Sequence, residues 1–470
     1  MSGFQLATGS KIFSRSTTYT VQSILGQGSY GTVAKCTDMS DNTTVAIKTM
    51  KKEYPFDFAA RKEVNALLDL SVLDSDKSNI VKWHRAFTDR GHFCMVFEHL
   101  DKSLADFMEE SNLEPLLLSE IRPIIQQVAN ALDHLKTIGM IHADLKLDNV
   151  MFVDHQHQPY RVKVIDFGLA EDVSAATVGS NIQTQPYRAP EILLGLPYTE
   201  AIDMWSLGIM AACMYLGYFL YPGLTEFDMM RFIVETQGPP PDNLLNEGLK
   251  TSNFFQSVNQ PDCQWKIKNE EAYFEETGVT PTETRRFFLN SLDEILNIQS
   301  LKSDTLVNKI LEIRDRRAFL DLLKGMLQLD AANRLTPRQV LEHPFITMSH
   351  LTRRFPYTSY VFSSLETMAA FRNNSPGSNK PFCFTSPSTS GGMTRRRRKL
   401  EDVDGRTDER CNCPKIVKSG HSETPACLST SCSSQHAADD ARTITPVRDH
   451  PVYPPGRITD TQERRKKRSR

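Results

Sequence analysis

The chain has 470 residues, of which 40% are apolar, enough for a sizeable core and for more than one compact unit. Its net charge is only −2, but residues 391–470 hold 18 Lys and Arg against 11 Asp and Glu. A mildly acidic body with a basic C-terminal part suggests that this part meets an acidic partner. Nine scattered cysteines, an odd number, argue against a disulfide framework and favour free thiols in a reducing compartment.

Membrane attachment is not expected. Residues 1–15 lack an apolar segment of the secretory type, and Ser2 stands where N-myristoylation requires glycine. Residues 204–224 are nearly long and apolar enough to span a bilayer. That segment contains Gly208 and Gly217 and has no basic flanks, so we expect a helix buried inside a large domain.

Strand patterns come first along the chain. β-prone runs joined by glycines and by Asp/Asn turns fill residues 19–50, and a helical stretch follows at 58–73 before strand character resumes. From Leu104 onward, apolar residues recur at three- and four-residue steps, as in residues 120–139, which end on the helix-stopping Gly139. A small β-rich lobe followed by a larger helical lobe predicts an α+β, two-lobed fold.

The same patterns predict the boundaries of the chain's parts. Past residue 345 the periodicity thins, and the sequence then turns to Ser, Thr, Pro, Gly and charge, which is typical of disorder. The predicted parts are an N-terminal tail (1–18), a two-lobed domain (19–346, with lobes at about 19–102 and 103–346), a short extension (347–372) and a disordered basic tail (373–470).

A glycine-rich hairpin, GQGSYGTV, lies in the first strand region. Gly26, Gly28, Gly31 and Val33 follow the order G-x-G-x-x-G-x-V, and glycines let such a hairpin lie flat on a triphosphate where a Cβ would collide. Alone the pattern is weak, because a glycine hairpin is most often only a hairpin. Other residues must support it.

That support comes from a lysine and a glutamate downstream. Lys48 ends the strand VAIK, and Glu63 lies in the helix predicted next. A buried ammonium group needs an anionic partner, which Glu63 can supply. Together they would hold Lys48 on the α- and β-phosphates of a nucleotide.

The segment IHADLKLDNVMF, residues 141–152, carries a second cluster. Asp144 can accept the proton of an attacking hydroxyl group, and Lys146 can meet a transferring phosphoryl group. Asn149 and, further on, Asp166 in DFG offer oxygen ligands of the kind that Mg²⁺ prefers. These residues predict phosphoryl transfer with ATP and Mg²⁺.

These motifs, completed by the APE motif at residues 189–191, resemble the signature set of protein kinases. The resemblance implies that Asp203 hydrogen-bonds the backbone of the catalytic loop and that Arg334 pairs with Glu191, without chemical roles. Lys146, two residues after Asp144, is the serine/threonine pattern.

The kinase resemblance also implies an adenine pocket. Phe97 would guard its back, backbone groups of Glu98 and Leu100 would bind the adenine edge, and Met151 would form its floor. The residues predicted to contact the nucleotide are Leu25, Gly26, Gln27, Gly28, Ser29, Tyr30, Gly31, Val33, Ala46, Lys48, Glu63, Phe97, Glu98, Leu100 and Met151.

Residues from about 19 to 382 resemble one kinase family more closely, the homeodomain-interacting protein kinases, which are relatives of the dual-specificity, tyrosine-regulated kinases. The resemblance runs through IHADLK, HQPYRVKVIDFG, YRAPEILLGLPYTEAIDMWSLG, TQGPPPDNLL and LTPRQVLEHPFITMSHL. It implies a nuclear location, with some cytoplasmic protein, and transcription factors or corepressors as partners. It also implies that Ala143, standing where most kinases carry a catalytic-loop arginine, is compatible with activity.

Two positions depart from that family. Asn181 stands where the family has a self-phosphorylated tyrosine, and Gln185 stands where it has an arginine that helps to select proline after the target residue. We therefore expect neither self-activation by tyrosine nor strict proline direction. Packing and neutral hydrogen bonds must order the loop; the candidates are Gln183, Gln185 and Pro186, with Arg188 as the basic residue that could meet a loop phosphate.

The sequence therefore favours an ATP-dependent serine/threonine kinase. The alternative is a pseudokinase scaffold that binds transcription regulators, which would be indicated by the loss of a nucleotide or metal residue; all of them are present. The basic runs at 395–399 and 464–470 raise nucleic-acid binding as a third class, but they lack interleaved aromatic residues for base stacking. A nuclear import signal read by importin is preferred over a solvated charge run.

Overall fold

A computed structural model describes residues 6–28, 31–51, 56–260 and 263–370. A β-rich lobe is followed by a larger helical lobe, so the predicted α+β, two-lobed fold is confirmed. Ser29, Tyr30, the basic runs and the remainder of the predicted tail lie outside the described residues.

Six strands form one antiparallel sheet: β1 (Lys11–Phe13), β2 (Thr18–Gln27), β3 (Gly31–Asp38), β4 (Thr44–Met50), β5 (Trp83–Asp89) and β6 (His92–Glu98). Their order across the sheet is β1-β2-β3-β4-β6-β5. The first strand lies in the segment assigned from sequence to an N-terminal tail, and Ile12 pairs with Tyr19 of β2. Three residues are too short for a periodic pattern, so the sequence carried no strand signal there.

One face of this sheet has an apolar core of its own. Leu6 and Ile12 from the N-terminal segment cover it, and Tyr19 stacks on Phe87 with ring centroids 5.8 Å apart. The buried thiols of Cys36 and Cys94 also belong to this core, and burial raises their pKa values to about 12 and about 11. The N-terminal segment is therefore part of the small lobe's packing.

The other face packs against α1 (Phe56–Leu70), which α2 (Ser75–Ser78) follows. Ala60, Glu63, Leu67 and Leu70 are buried, and their three- and four-residue spacing places them on one side of α1. This periodicity turns Glu63 inward, toward the sheet.

The helical lobe contains most of the main core. Its helices are α3 (Leu104–Glu110), α4 (Leu118–Thr137), α5 (Pro190–Leu194), α6 (Ala201–Leu216), α7 (Glu226–Gln237), α8 (Asp242–Glu247), α9 (Thr251–Phe254), α10 (Glu270–Thr277), α11 (Leu306–Met326), α12 (Pro337–Glu342), α13 (Pro344–Thr347), α14 (Ser349–Thr352) and α15 (Ser359–Ala370). Its short strands are β7 (Met140–Ile141), β8 (Val150–Phe152), β9 (Val162–Val164), β10 (Glu171–Asp172), β11 (Phe255–Gln260) and β12 (Cys263–Ile267), which pair as β7 with β10, β8 with β9 and β11 with β12.

Helix α6 occupies the apolar segment that resembled a membrane span. Every residue of it after Ala201 is buried, as expected, including Cys213, whose thiol pKa is raised by burial to about 12. A Cβ on Gly208 would lie 2.7 Å from a methyl carbon of Leu327, so glycine permits close packing there. In the described part of the chain, no helix is long and apolar enough to cross a membrane.

A buried polar cluster fixes the last helix to the lobe. Arg122 of α4 is fully buried, and its guanidinium lies 2.6 Å from the Asp315 carboxylate of α11. The Tyr360 hydroxyl of α15 donates to the same carboxylate at 2.8 Å, and His350 contacts it at 2.9 Å. Helix α15, which lies within the predicted extension, is therefore docked on the helical lobe.

Candidate active site

Strand register gathers the predicted nucleotide-contacting side chains on one face of the sheet. Val33 lies opposite Lys48, and Ala46 lies opposite Phe97. Directly opposed residues of an antiparallel pair share a face, as do alternate residues of one strand. Phe97 and Met151 are partly buried against the main core. These side chains therefore form an apolar surface beside Lys48.

The glycine-rich hairpin joins β2 to β3, with Leu25 and Gln27 exposed on β2. A Cβ on Gly31 would lie 2.2 Å from the Thr49 carbonyl oxygen, so β4 itself demands glycine at that position. A Cβ on Gly26 or Gly28 would meet no described atom within 4 Å. Glycine at these two positions is not required by packing within the described protein, which suits a surface kept flat for phosphates.

Lys48 joins three parts of the molecule. Its ammonium group lies 2.7 Å from Glu63 on α1 and 2.9 Å from Asp166 of the DFG motif. Burial alone would lower the pKa of Lys48, but the two carboxylates outweigh it and raise the pKa above its usual value. Lys48 therefore stays cationic where nucleotide phosphates would lie.

The DFG motif is turned with its aspartate toward Lys48. Phe167 is buried and packs against the ring of His142, with centroids 5.1 Å apart. Asp166 has a φ of +61°, a left-handed conformation that redirects the chain between these two side chains. The anchored phenyl ring and the turn together present the carboxylate to the lysine.

Asp144 is held by three neighbouring residues. Lys146 lies 2.7 Å from its Oδ2 atom, and the Thr184 hydroxyl donates to Oδ1 at 2.6 Å. The side-chain nitrogen of Asn149 donates to the Asp144 backbone oxygen at 2.8 Å. That bond leaves the Asn149 side-chain oxygen as the atom able to face a metal ion.

Asp203 supports the catalytic loop from α6. Its carboxylate accepts the N–H groups of His142 at 2.7 Å and Ala143 at 3.0 Å, so the predicted structural contact is confirmed. Ala143 has a φ of +63°, an uncommon conformation that these bonds help to maintain. Burial raises the pKa of Asp203 to about 6.

The Glu98 side chain fixes the connection between the two lobes through a hydrogen bond and an ion pair. The Glu98 carboxylate accepts the N–H of Lys82 at 2.6 Å and contacts the ammonium of buried Lys163 at 2.7 Å. Leu100, two residues on, is buried. Both residues whose backbone was predicted to bind the adenine edge thus lie in a fixed stretch of chain.

Gln183 fixes the activation segment, the stretch between the DFG and APE motifs, beneath the catalytic loop. Its N–H donates to the Ala143 carbonyl at 3.0 Å. Its side-chain nitrogen donates to the Ile202 carbonyl and the Ser206 hydroxyl, while its side-chain oxygen accepts the Ala189 N–H at 2.9 Å. Neutral hydrogen bonds from Gln183 therefore order this segment, as predicted.

Two further residues complete the segment's contacts. Gln185 donates to the Gly223 carbonyl at 2.7 Å. The guanidinium of Arg188 pairs with Glu226 at 2.6 Å and donates to the carbonyls of residues 182 and 183. Arg188 is thus already engaged with a carboxylate and two carbonyl groups.

The APE motif is anchored as predicted, because Arg334 contacts both carboxylate oxygens of Glu191 at 2.6 and 2.9 Å. Thr184 is a site residue that sequence reasoning missed. Its contact with Asp144 depends on the path of the activation segment, for which the sequence offered no motif.

Comparison with known proteins agrees with this geometry. The protein kinase domain family matches residues 19–346, so the chain belongs to the protein kinase family. It is 42% identical over 399 residues to homeodomain-interacting protein kinase 2 of Mesocricetus auratus, covering 83% of this chain and 34% of that protein. It is also 44% identical over 366 residues to homeodomain-interacting protein kinase 1 of Mus musculus, covering 78% and 30% respectively.

A third relative, homeodomain-interacting protein kinase 4 of Homo sapiens, is 38% identical over 76% of this chain and 60% of its own length. These identities confirm the predicted resemblance to that group. The chain spans about a third of the length of the first two relatives. Protein kinases as a class use ATP and a divalent metal ion and act on protein substrates.

Proposed function

We propose that this protein transfers the γ-phosphoryl group of ATP to serine and threonine hydroxyls of proteins, with Mg²⁺ as its metal ion. The observation that carries the proposal is the contact of Lys48 with both Glu63 and Asp166. A kinase needs its lysine–glutamate pair and its DFG aspartate in place together. Because Lys48 contacts both carboxylates in one arrangement of the chain, this geometry supports the proposal.

Asp144 is the residue we assign to the substrate hydroxyl group. Its carboxylate is oriented by Lys146 and Thr184 and would accept the hydroxyl proton as the new bond forms. Lys146 and Lys48 would stabilise the charge spread over the phosphoryl oxygens. The protein's contribution is therefore positioning and fixed charge, as expected for phosphoryl transfer.

The residues available to hold the metal ion are Asn149 and Asp166. The described residues contain no cluster of three or more His, Cys, Asp or Glu side chains that could hold a metal by themselves. Mg²⁺ is commonly held by one or two side chains together with substrate phosphates, whose charge it neutralises. The pair Asn149 and Asp166 fits that mode of binding.

The decisive experiment compares Lys48→Met, Asp144→Asn and Asp166→Asn with the wild-type protein in a peptide phosphorylation assay. Each change removes a charge at the reacting groups, so turnover should fall on the order of 10²-fold or more. Asp154→Asn is the matched control, because Asp154 is a partly exposed loop carboxylate paired with nearby His157. Melting temperatures establish that the variants are folded.

The scaffold alternative makes the opposite forecast. If the protein only binds transcription regulators, neither the wild type nor Asp166→Asn should incorporate phosphate into the peptide above background. Wild-type turnover in Asp166→Asn would also remove the metal role proposed for that carboxylate.

We further propose that the protein acts in the nucleus, with some of it in the cytoplasm, on transcription factors or corepressors. The names of its relatives describe kinases that interact with homeodomain proteins. The basic runs at 395–399 and 464–470 have the composition of import signals, which importin would bind. Direct nucleic-acid binding is not favoured, because those runs lack aromatic residues.

A further inference from the structure

Two consecutive residues of α1 contact different parts of the molecule. Glu63 pairs with Lys48 in the sheet. Lys62 instead reaches the activation segment, where its ammonium lies 3.2 Å from the Leu169 carbonyl oxygen and 3.8 Å from the Glu171 carboxylate. The helical turn that supplies Glu63 is therefore tied to the segment that follows the DFG motif.

The helical lobe holds Glu171 from the other side. The hydroxyl of buried Tyr198 donates to Glu171 Oε1 at 2.6 Å, while Oε2 faces Lys62. Burial and the bond to Glu171 raise the pKa of Tyr198, so its hydroxyl remains a donor at neutral pH. The Glu171 backbone pairs with Ile141, directly before the catalytic loop. One carboxylate thus links α1, the activation segment and the helical lobe.

The Glu171 carboxylate places a negative charge beside α1 without any modification of the chain. In many kinases a phosphate on the activation segment supplies such a charge, because new arginine–phosphate pairs order the loop. Here Ala143 offers no guanidinium group, and Arg188 is already paired with Glu226. The position of α1 must then depend on groups that need no modification.

We propose that Glu171 is a positioning residue for phosphoryl transfer. Its carboxylate, fixed by Tyr198, attracts Lys62 and so keeps α1 turned with Glu63 against Lys48. This role rests on the kinase activity proposed above, and it assigns to an unmodified side chain the ordering that a phosphate provides elsewhere.

The test uses the full chain with Glu171→Gln and Lys62→Met. Since a partly exposed ion pair contributes little by itself, kcat/KM for ATP should fall about threefold, with KM for the peptide unchanged. Lys62→Glu should lose more, because it places like charges together. Adding Glu171→Lys to Lys62→Glu should recover part of that loss, which a role limited to packing would not produce.

Asp172→Asn is the matched control, because the neighbouring Asp172 carboxylate accepts its bonds from Ser174, two residues on. It should leave kcat/KM unchanged. The deficit of Glu171→Gln relative to wild type should shrink in about 1 M salt, where exposed charges are screened.

Amide hydrogen exchange in α1 is a second measurement that does not depend on turnover. Exchange should rise in Glu171→Gln and Lys62→Met but not in Asp172→Asn. Unchanged exchange in the first two variants, or a loss that neither salt nor the charge swap relieves, overturns the role. If the wild type transfers no phosphate, the proposed function is wrong, but the hydrogen-exchange result still shows whether Glu171 positions α1.

Discussion

Gln185 is the residue from which we predict weak selection of proline after the target residue. Its side-chain amide is bound to the Gly223 carbonyl, and it carries no positive charge. We expect a peptide with proline after the target serine to be preferred over its alanine counterpart by less than about threefold, or under 1 kcal/mol by transition-state arithmetic. Serine and threonine should both be phosphorylated in preference to tyrosine.

Gln185→Arg should raise that proline preference to about tenfold, or ~1.4 kcal/mol. The measurement is the ratio of kcat/KM for the two peptides. Gln22→Arg is the control, because it adds the same charge at an exposed position of β2, where the Gln22 side chain donates to the Thr37 hydroxyl of the next strand. A strong proline preference in the wild type would refute the assignment of specificity to Gln185.

Residues that chemistry itself demands could be read from the sequence. Lys48, Asp144 and Asp166 stand in short motifs whose composition is fixed by phosphate and metal ligands. The contacts of Thr184 and Glu171 could not be read in the same way. They depend on how the activation segment returns across the lobe, and ordinary hydroxyl and carboxyl groups there carry no motif.

At the scale of elements, neutral hydrogen bonds from Gln183 order the activation segment. This single residue makes hydrogen bonds to the catalytic loop, α6 and the APE motif. We therefore predict that phosphatase treatment changes turnover by less than about tenfold, or ~1.4 kcal/mol. Mass spectrometry would follow the occupancy of Ser174, Thr177, Ser180 and Thr184. A collapse of activity on dephosphorylation would mean that an unrecognised phosphate receiver exists.

Helix α15 gives a prediction about acid stability. Burial would raise the pKa of Asp315, but Arg122 and His350 outweigh it, so the pKa lies below its usual value. A carboxyl group with a lowered folded-state pKa stabilises the fold above its unfolded pKa of about 3.9, and this stability is lost as pH falls through the folded value. The melting temperature should therefore drop steeply below about pH 4.

Tyr360→Phe removes one donor to the Asp315 carboxylate. It should cost about 2 kcal/mol at neutral pH, the usual range for a hydrogen bond to a charged group. It should also move the acid transition to higher pH, because the Asp315 pKa rises toward its usual value. Tyr357→Phe is the control, since that side chain is 98% exposed in the same segment. Equal melting curves for both variants would contradict this account.

For the whole molecule, the two-lobed architecture was predictable because strand and helix periodicities occupy separate parts of the chain. The sheet face covered by Leu6 and Ile12 was not, because that cover comes from a few residues without a pattern. The docking of α15 on Asp315 also depends on partners far apart in sequence. Packing between distant segments is what the sequence leaves open.

The basic tail gives a prediction for the whole molecule. Deleting residues 395–399 and 464–470 together should move the protein from nucleus to cytoplasm, since these runs are the proposed importin-binding charge. The control is deletion of residues 425–436, which carry no Asp, Glu, Lys or Arg. Fluorescence imaging of tagged proteins decides between them. Unchanged nuclear signal in the double deletion would assign localisation to the kinase domain or to a partner.

Because Cys36 and Cys94 lie in the separate core of the small lobe, their reactivity can report when that core opens. A thiol reacts with alkylating reagents as the thiolate, and burial keeps Cys36, Cys94 and Cys213 protonated at neutral pH. Each should therefore be labelled only when its surroundings open. Peptide-by-peptide alkylation rates in dilute denaturant would then time the opening of the sheet face separately from that of α6. Labelling of Cys36 and Cys94 ahead of Cys213 would show that the two lobes unfold as distinct units.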